Sequence, residues 1–374
     1  MSNLMAAHNN WASRPADERF KTLAEMHNNV RDRQRMSVED KLWLGDAHVK
    51  KNGTFSLLER GIEKRFTNWS AMQFLQKLSI PKDFINTIDN TLAEQVIKNR
   101  LMRALVDEDI DRKQRVLGVN GPDGYTIRAL HSSRYERLWD AQVTGTLMEW
   151  LPKDWRNPVA FAQGKWGAPL EPSGLYAGDR DMFAFFIDGG DWADKPVGTF
   201  DVDGDAFNRG FYVWNSEVGA KSFGFSTFNF RVVCGNNIIW GASNFKQSRA
   251  RHIGGANDML RTFRAYLASL QDTSKGDAFI NAVRAAKTTI LTPGNTKSLI
   301  LQQGLDKFKG KFTQTEITDA RDASMTEAQK ENRSIDGSAW FWLQGFTAVA
   351  RTYQNADERT KLEETASKVL LTVR

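Results

Sequence analysis

Cysteine is nearly absent from this sequence, which has one, Cys234, among 374 residues. A single thiol excludes an intrachain disulfide and any zinc site built from several cysteines. The five histidines never stand at the spacing of paired metal ligands. No apolar run approaches the roughly 20 residues that cross a bilayer, and the first residues lack the apolar segment of a secretory signal. We therefore expect a cytoplasmic protein that is held by a packed core and has no membrane partner.

The common catalytic motifs are also missing. The chain has no His-Glu-x-x-His, Gly-x-x-x-x-Gly-Lys-Ser/Thr or Gly-x-Ser-x-Gly, and no Gly-x-Gly-x-x-Gly after a strand. The segment "DVDGD", Asp201 to Asp205, begins like a calcium loop, but Ala206 replaces the required glycine and Tyr212 the bidentate glutamate. A turn between strands fits this segment better. The sequence thus predicts no cofactor and favours a non-enzymatic protein.

The charges are separated along the chain. Hydrophobic residues make up 41% and charged residues 26%, as in an ordinary globular protein, and the net charge is +6. Residues 171–206 contain nine acids and two bases, whereas residues 245–311 contain twelve bases and four acids. A basic segment of this kind favours an acidic partner.

Periodic patterns divide the chain into an N-terminal helical region (1–114), an α+β core domain (115–272) and a C-terminal helical region (273–374). Ser37 and Asp40 resemble a capping box and predict a helix over "VEDKLWLGDAHVKKNG". Leu92, Val96, Leu101 and Leu105 form the apolar stripe of a later helix.

The core domain changes to strand patterns. Two β-branched runs flank "GPDG", residues 121–124, and predict a hairpin. A helix over 135–151 follows, and then a strand-rich block up to residue 240, after which helical spacing returns. A linker is predicted near 311–338. The predicted fold class is α+β, with a central sheet rich in antiparallel strands and helical regions on either side.

The block "GFYVWNSEVGAKSFGFSTFNFRVVCGNNIIWGASNFKQSRARHIGG", residues 210–255, resembles the uncharacterised phage/plasmid-like protein family. In that family an Asn-Ser pair and a glycine precede an Arg-Val-Val-Cys-x-Asn signature, and a basic segment with a histidine follows. The corresponding residues are Asn215, Ser216, Gly219, Arg231 to Cys234, Asn236 and His252. Asn237 departs from the usual threonine. The resemblance implies a phage or mobile-element origin in a bacterial host, and it brings no established activity.

The single cysteine has two interpretations. A reactive thiol needs an electropositive, accessible setting. Arg231 stands three residues before Cys234, on the opposite face of a strand. A buried structural thiol is therefore favoured over a reactive one.

The strongest candidate site is basic and aromatic. Its cations are followed by Gly254 and Gly255, where backbone can approach a phosphate at the start of a helix. Aromatic side chains nearby could stack nucleic-acid bases. The predicted nucleic-acid-binding residues are Arg231, Lys246, Arg249, Arg251, His252, Arg261, Arg264, Phe228, Phe230, Trp240 and Phe245.

We therefore hypothesise a non-catalytic nucleic-acid-binding protein of a phage or plasmid, with single-stranded DNA as the favoured partner and homo-oligomers possible. Three alternatives remain open. The basic residues could be a solvated face over an ordinary aromatic core. The acidic region 171–206 could bind a host protein. A metal-dependent nuclease could use Asp179, Asp181, Asp188, Asp191 and Asp194.

Overall fold

A computed structural model describes residues 15–44, 48–52, 54–59, 61–122, 124–157, 159–161, 170–172, 174–189, 200–202, 205–231, 238–240, 248–250, 252, 255–270, 277–294, 296–330, 335–350, 352–353, 362 and 365–368. These residues form two sheets of mostly antiparallel strands with helices around them, which confirms the predicted α+β class. None of the helices in this part of the chain combines the length and apolar character needed to cross a bilayer.

The first unit is a six-stranded sheet with helices. Its strand order is β1-β5-β6-β4-β3-β2, in which β4 and β6 run parallel and the other neighbours antiparallel. Its elements are α1 (Leu23–Met36), β1 (Ser37–Trp43), β2 (His48–Asn52), β3 (Thr54–Glu59), β4 (Ile62–Phe66), α2 (Asn68–Lys77), α3 (Lys82–Thr87), α4 (Asn90–Val106), β5 (Lys113–Gly121) and β6 (Gly124–His131). The last two strands are the predicted hairpin, in which Gly121 pairs with Gly124.

The helix predicted after Ser37 is wrong, because residues 37–43 and 48–52 are strands. Strand β1 pairs with β5 from Ser37 opposite Val119 to Trp43 opposite Lys113. This non-local partner satisfies the backbone hydrogen bonds and overrides the local helical pattern. Ser37 instead follows the end of α1, where its hydroxyl donates to the Arg33 carbonyl at 2.7 Å. The predicted boundary at residue 115 lies within this sheet.

Helix α4 forms as predicted, but the residues that it buries differ from those of the predicted apolar stripe. Its buried residues are Ala93, Ile97, Leu101 and Ala104. Leu92, assigned to the stripe from spacing, is 44% exposed. The small side chains of Ala93 and Ala104 let the helix approach the sheet closely, so the larger apolar residues no longer mark the inner face.

The central unit contains the larger sheet. Its main path is β10-β11-β13-β14-β15, with β7, β12 and β16 paired to β11, β13 and β14, and β8 and β9 form a separate pair. Its elements are α5 (Asp140–Trp150), β7 (Trp155–Arg156), β8 (Val159–Phe161), β9 (Leu170–Pro172), β10 (Leu175–Ala177), β11 (Met182–Asp188), β12 (Phe200–Val202), β13 (Asp205–Asn215), β14 (Phe223–Arg231), β15 (Ile238–Trp240), β16 (Ser248–Ala250) and α6 (Ala256–Ser269). Val202 pairs with Asp205, so β12 and β13 are antiparallel neighbours, and Asp203 and Gly204 of the predicted turn lie outside the described residues.

One face of this sheet carries the core. Ala184, Phe211 and Val213 pack with residues of α1, α5 and α6. In α6 the predicted stripe of Leu260, Phe263, Leu267 and Leu270 is buried, which confirms the helical spacing.

The third unit is helical, as predicted for the C-terminal region. Its helices are α7 (Asp277–Thr288), α8 (Lys297–Lys307), α9 (Gln314–Lys330) and α10 (Ala339–Ala350). The linker predicted near 311–338 is wrong, because α9 occupies most of it. Helix α9 buries Ala320 and Ser324 against α10, and such small contacts leave no apolar stripe in the sequence.

The contact between α9 and α10 predicts a cost for Gly345→Ala. A Cβ at position 345 would overlap the Ala320 carbonyl oxygen and the Ser324 hydroxyl. Helix propensity alone would favour alanine by about 1 kcal/mol. We expect the steric overlap to outweigh this gain, so that the free energy of unfolding, measured by urea denaturation, falls by about 2 kcal/mol. Gly121→Ala, whose nearest contact would be an ordinary 3.9 Å, is the control. A stabilised Gly345→Ala variant would contradict this packing.

Candidate functional site

A buried ionic cluster lies beside the turn that follows β13. Glu217, which is 1% exposed, accepts a hydrogen bond from Nη1 of Arg128 at 2.9 Å. The Nε of Arg33 lies 3.5 Å from the same carboxylate, and Nη2 of Arg33 donates to Asp140 at 2.7 Å. The backbone N–H of Asp140, at the start of α5, donates to the other oxygen of Glu217 at 3.0 Å. The cluster therefore joins α1, β6, α5 and the end of β13.

The neighbouring residues Asn215, Ser216 and Gly219 shape the same turn. The amide of Asn215 donates to the Leu138 carbonyl and to Asp140, both at 2.8 Å. The Ser216 hydroxyl donates to the Arg180 carbonyl at 2.5 Å and accepts from the Ala220 N–H at 2.9 Å. Gly219 has a φ of +77°, which favours glycine. Asn215, Ser216 and Gly219 are the residues through which the sequence resembles the phage/plasmid-like family. In this structure their contacts hold the shape of the turn.

The two buried acids have opposite pKa shifts. Burial, together with the nearby Glu217 carboxylate, raises the pKa of Asp140 to about 7. Burial alone would raise the pKa of Glu217 too, but the guanidinium groups of Arg33 and Arg128 outweigh it and hold that pKa below its ordinary value. Glu217 is therefore the fixed negative charge of the cluster.

A stack of three rings adjoins this cluster. The ring of Tyr135 lies 4.0 Å from that of His131 and 5.2 Å from that of His252, measured between centroids. The Tyr135 hydroxyl lies 3.1 Å from the carbonyl oxygens of both Ser216 and Glu217, which share its one hydrogen. Burial, followed by the charge of Arg137, lowers the pKa of His131 to about 2.

His252, a predicted site residue, belongs to this stack and is only 5% exposed. Burial lowers its pKa, so it adds no positive charge at neutral pH. It lies beneath the surface, where a phosphate would not reach it.

The glycine turn before α6 has an internal partner. Gly255 has a φ of +92°, and its N–H donates to the carboxylate of Glu136 at 2.7 Å. Helix α6 begins directly after it, as predicted. A carboxylate of the protein thus occupies part of the helix start at which the sequence predicted a phosphate.

The predicted basic face of α6 is present. Arg261 and Arg264 are exposed, opposite the buried Leu260, Phe263 and Leu267. Arg261 forms an ion pair with Asp258, one turn earlier and equally exposed. Such a pair contributes little to stability and can open for a ligand.

The other face of the central sheet is aromatic. We call Tyr176, Phe183, Phe185, Tyr212 and Trp214 the aromatic face. Successive rings lie 5.4 Å apart between Tyr176 and Phe183, 5.5 Å between Phe183 and Tyr212, and 5.4 Å between Tyr212 and Trp214. Phe183 and Tyr212 are partly exposed, whereas Tyr176, Phe185 and Trp214 are buried.

The strand register places a predicted arginine beside this face. Trp214 pairs with Gly224, and Gly224 pairs with Arg249 on its other side. A Cβ on Gly224 would overlap the indole of Trp214, so the ring lies across the glycine backbone. The backbones of Phe228 and Phe230 pair with Gly210 and Asn208.

The other predicted residues are more dispersed. Arg231 pairs with Phe207 at the end of β14, and Trp240 ends β15. Phe245, Lys246, Arg251 and Cys234 lie outside the described residues. Sequence reasoning missed Glu217 and the aromatic face, because their partners come from distant strands and helices.

Of the acidic residues considered for a nuclease, Asp179 and Asp181 line one cleft, whereas Asp188 lies apart from them. Asp181 pairs with Lys221 at 2.6 Å, and Asp188, at the far end of β11, pairs with Arg209 at 2.5 Å. Asp191 and Asp194 lie outside the described residues. Within the described ranges, no group of three His, Cys, Asp or Glu side chains is arranged to hold a metal ion.

The ionic cluster predicts a large cost for Glu217→Gln. The change would remove the negative charge that neutralises the buried guanidinium groups of Arg33 and Arg128. Losing one partner of a buried ion pair typically lowers the free energy of unfolding by about 3–5 kcal/mol. We expect a loss of this size in urea denaturation. Asp258→Asn, which breaks an exposed pair, should cost less than about 1 kcal/mol. Equal effects of the two substitutions would contradict a stabilising cluster.

Asp140 predicts a pH dependence of stability. Its folded-state pKa of about 7 lies above the ordinary 3.8, so folding favours the protonated form. This contribution is complete below pH 3.8 and is lost as the pH rises through 7. We expect the wild type to lose stability relative to Asp140→Asn between pH 4 and 8, measured by urea denaturation at each pH. Parallel pH profiles would show that Asp140 is not responsible.

Comparison with known families gives one match. The model of the family described as Domain of unknown function (DUF932) matches residues 160–370, more than half of the chain. No curated protein and no solved structure matches the chain. The matched range includes β13, β14 and α6, whereas Arg33, Arg128 and Asp140 precede it.

Proposed function

The chain belongs to the DUF932 family, and from the geometry of its central sheet we propose that it binds single-stranded nucleic acid, with DNA favoured, without catalysing a reaction. The resemblance to phage and plasmid proteins supports a mobile-element origin and action in a bacterial cytosol. Several copies would coat one strand.

The observation that carries the proposal is the row Trp214, Gly224 and Arg249 across three neighbouring strands. It brings a predicted phosphate-binding residue to the edge of the aromatic face. Neighbouring strands lie about 4.8 Å apart, so Arg249 is about 10 Å from Trp214 along this row. Aromatic rings with cations at this range are the elements that proteins use to bind single strands with little sequence preference.

The contacts also favour single strands over duplexes. A ring can stack on a base only where the face of that base is exposed, and a duplex covers it. Phe183 and Tyr212 are the partly exposed members of the aromatic face and are the best placed to stack. Each such stack is worth about 1–3 kcal/mol.

The structure narrows the predicted set of residues. His252 is buried, and the glycine turn is bonded to Glu136, so neither is part of the proposed interface. The proposed phosphate contacts are Lys246, Arg249 and Arg251, from the segment around β16. Arg261 and Arg264 are left out, because α6 packs on the opposite face of the sheet from the aromatic face.

The double variant Arg249→Ala/Arg251→Ala tests the proposal. Fluorescence anisotropy with a labelled single-stranded oligothymidine at several salt concentrations should show weaker binding. The slope of log K against log salt should fall by about 1.4, because two phosphate contacts are lost at about 0.7 each. The reduction should be similar for oligonucleotides of different sequence.

The matched control is Lys98→Ala/Arg103→Ala, which removes two exposed positive charges from α4. It should leave the affinity and the salt slope close to those of the wild type. The proposed interface is wrong if the two double variants behave alike.

A further inference from the structure

A polar cleft of about 570 Å³ lies between the first unit and the central unit. Its volume is that of a site for a small organic ligand. One wall is the start of α2, and the other is formed by the turns before β11 and after β13. The lining residues are Glu18, Thr67, Asn68, Trp69, Asp179, Arg180, Asp181, Ala220 and Lys221.

Trp69 provides a rigid ring in this cleft. Its indole Nε1–H donates to the Val218 carbonyl at 3.0 Å, which fixes the orientation of the ring. The same turn is held from the other side by the buried Glu217. The guanidinium carbon of Arg180 lies 5.8 Å from the centroid of the Trp69 ring.

The spacing between Arg180 and Trp69 suits an inserted flat ligand. A ring stacked between two planes needs about 7 Å, since each contact takes about 3.5 Å. The exposed guanidinium of Arg180 would have to retract by little more than about 1 Å from its 5.8 Å position. A long exposed side chain can make such a movement.

The charges of the cleft select against highly charged anions. Lys221 is neutralised by Asp181 at 2.6 Å, and Asp179 and Glu18 add further carboxylates. The lining thus offers donors and acceptors without a net positive charge. This favours a heteroaromatic ring with amide-like edges over a polyphosphate.

The cleft also lies at one end of the aromatic face. Asp181 and Met182 lead into β11, where Phe183 pairs with Trp214. A strand bound along the aromatic face would bring its bases to this end.

We propose that the cleft binds one nucleoside unit, with the base stacked between Trp69 and Arg180, either free or as part of a bound strand. The strand-bound form rests on the proposed function, whereas the binding of a free nucleoside is independent of it.

Calorimetric titration of the full chain with thymidine, adenosine and ATP tests the free form. Arg180→Ala should weaken nucleoside binding by at least about fivefold, because one stacking plane is lost. Arg180→Lys keeps the charge but not the plane, so it should not restore binding. Arg134→Ala, an exposed turn arginine outside the cleft, should bind like the wild type.

Anisotropy with oligothymidine tests the strand-bound form. Weaker strand binding by Arg180→Ala would place a strand nucleotide in the cleft, and a loss restricted to free nucleosides would assign it to a free ligand. The inference is overturned if Arg180→Ala changes neither nucleoside binding nor strand binding. It is also overturned if the affinity for the titrated ligands rises with their number of phosphates and inorganic phosphate competes with them. If strand binding depends on Arg249 and Arg251 but not on Arg180, the proposed function stands and the cleft takes no part in strand binding.

Discussion

The rest of the structure depends on the carboxylate of Glu217, buried between the guanidinium groups of Arg33 and Arg128. Removing charges from water costs several kcal/mol per ion, and that cost is offset only when all partners are in place. The start of α5 contributes a backbone N–H to the same carboxylate, at the end of the helix where a negative charge is favoured. The cluster therefore fixes α1, β6, α5 and the end of β13 relative to one another.

This arrangement explains why the turn after β13 can support two candidate surfaces. Its inner residues, Asn215 and Glu217, are fixed in the cluster, and its outer residues, Ala220 and Lys221, line the polar cleft. The aromatic face starts one residue earlier, at Trp214. A rigid inner side gives both surfaces a defined geometry.

The sequence predicted those elements whose causes are local. The "GPDG" turn defined the β5–β6 hairpin, and the spacing of Leu260, Phe263 and Leu267 defined α6. It failed at β1, whose pairing partners lie 70 to 82 residues away, and at α9, whose inner face consists of small side chains.

The candidate site divides in the same way. The aromatic and basic residue types around β14 could be read from the chain, and the exposure of Arg261 and Arg264 follows from helical spacing. The row from Trp214 to Arg249 depends on strand register, which a single sequence does not contain. The opposite charges of residues 171–206 and 245–311 also gave no hint that Asp181 pairs with Lys221 and Asp188 with Arg209, because both cations lie between the two segments in the sequence.

The cations that contact Glu217 come from outside the range that the family model matches. Arg33, Arg128 and Arg137 all precede residue 160, where the family match begins. A fragment cut at that point would retain the acid and lose each of these cations. It would also lose β7, α1 and α5, which complete the central sheet and its core, so we expect the family-matched segment not to fold on its own.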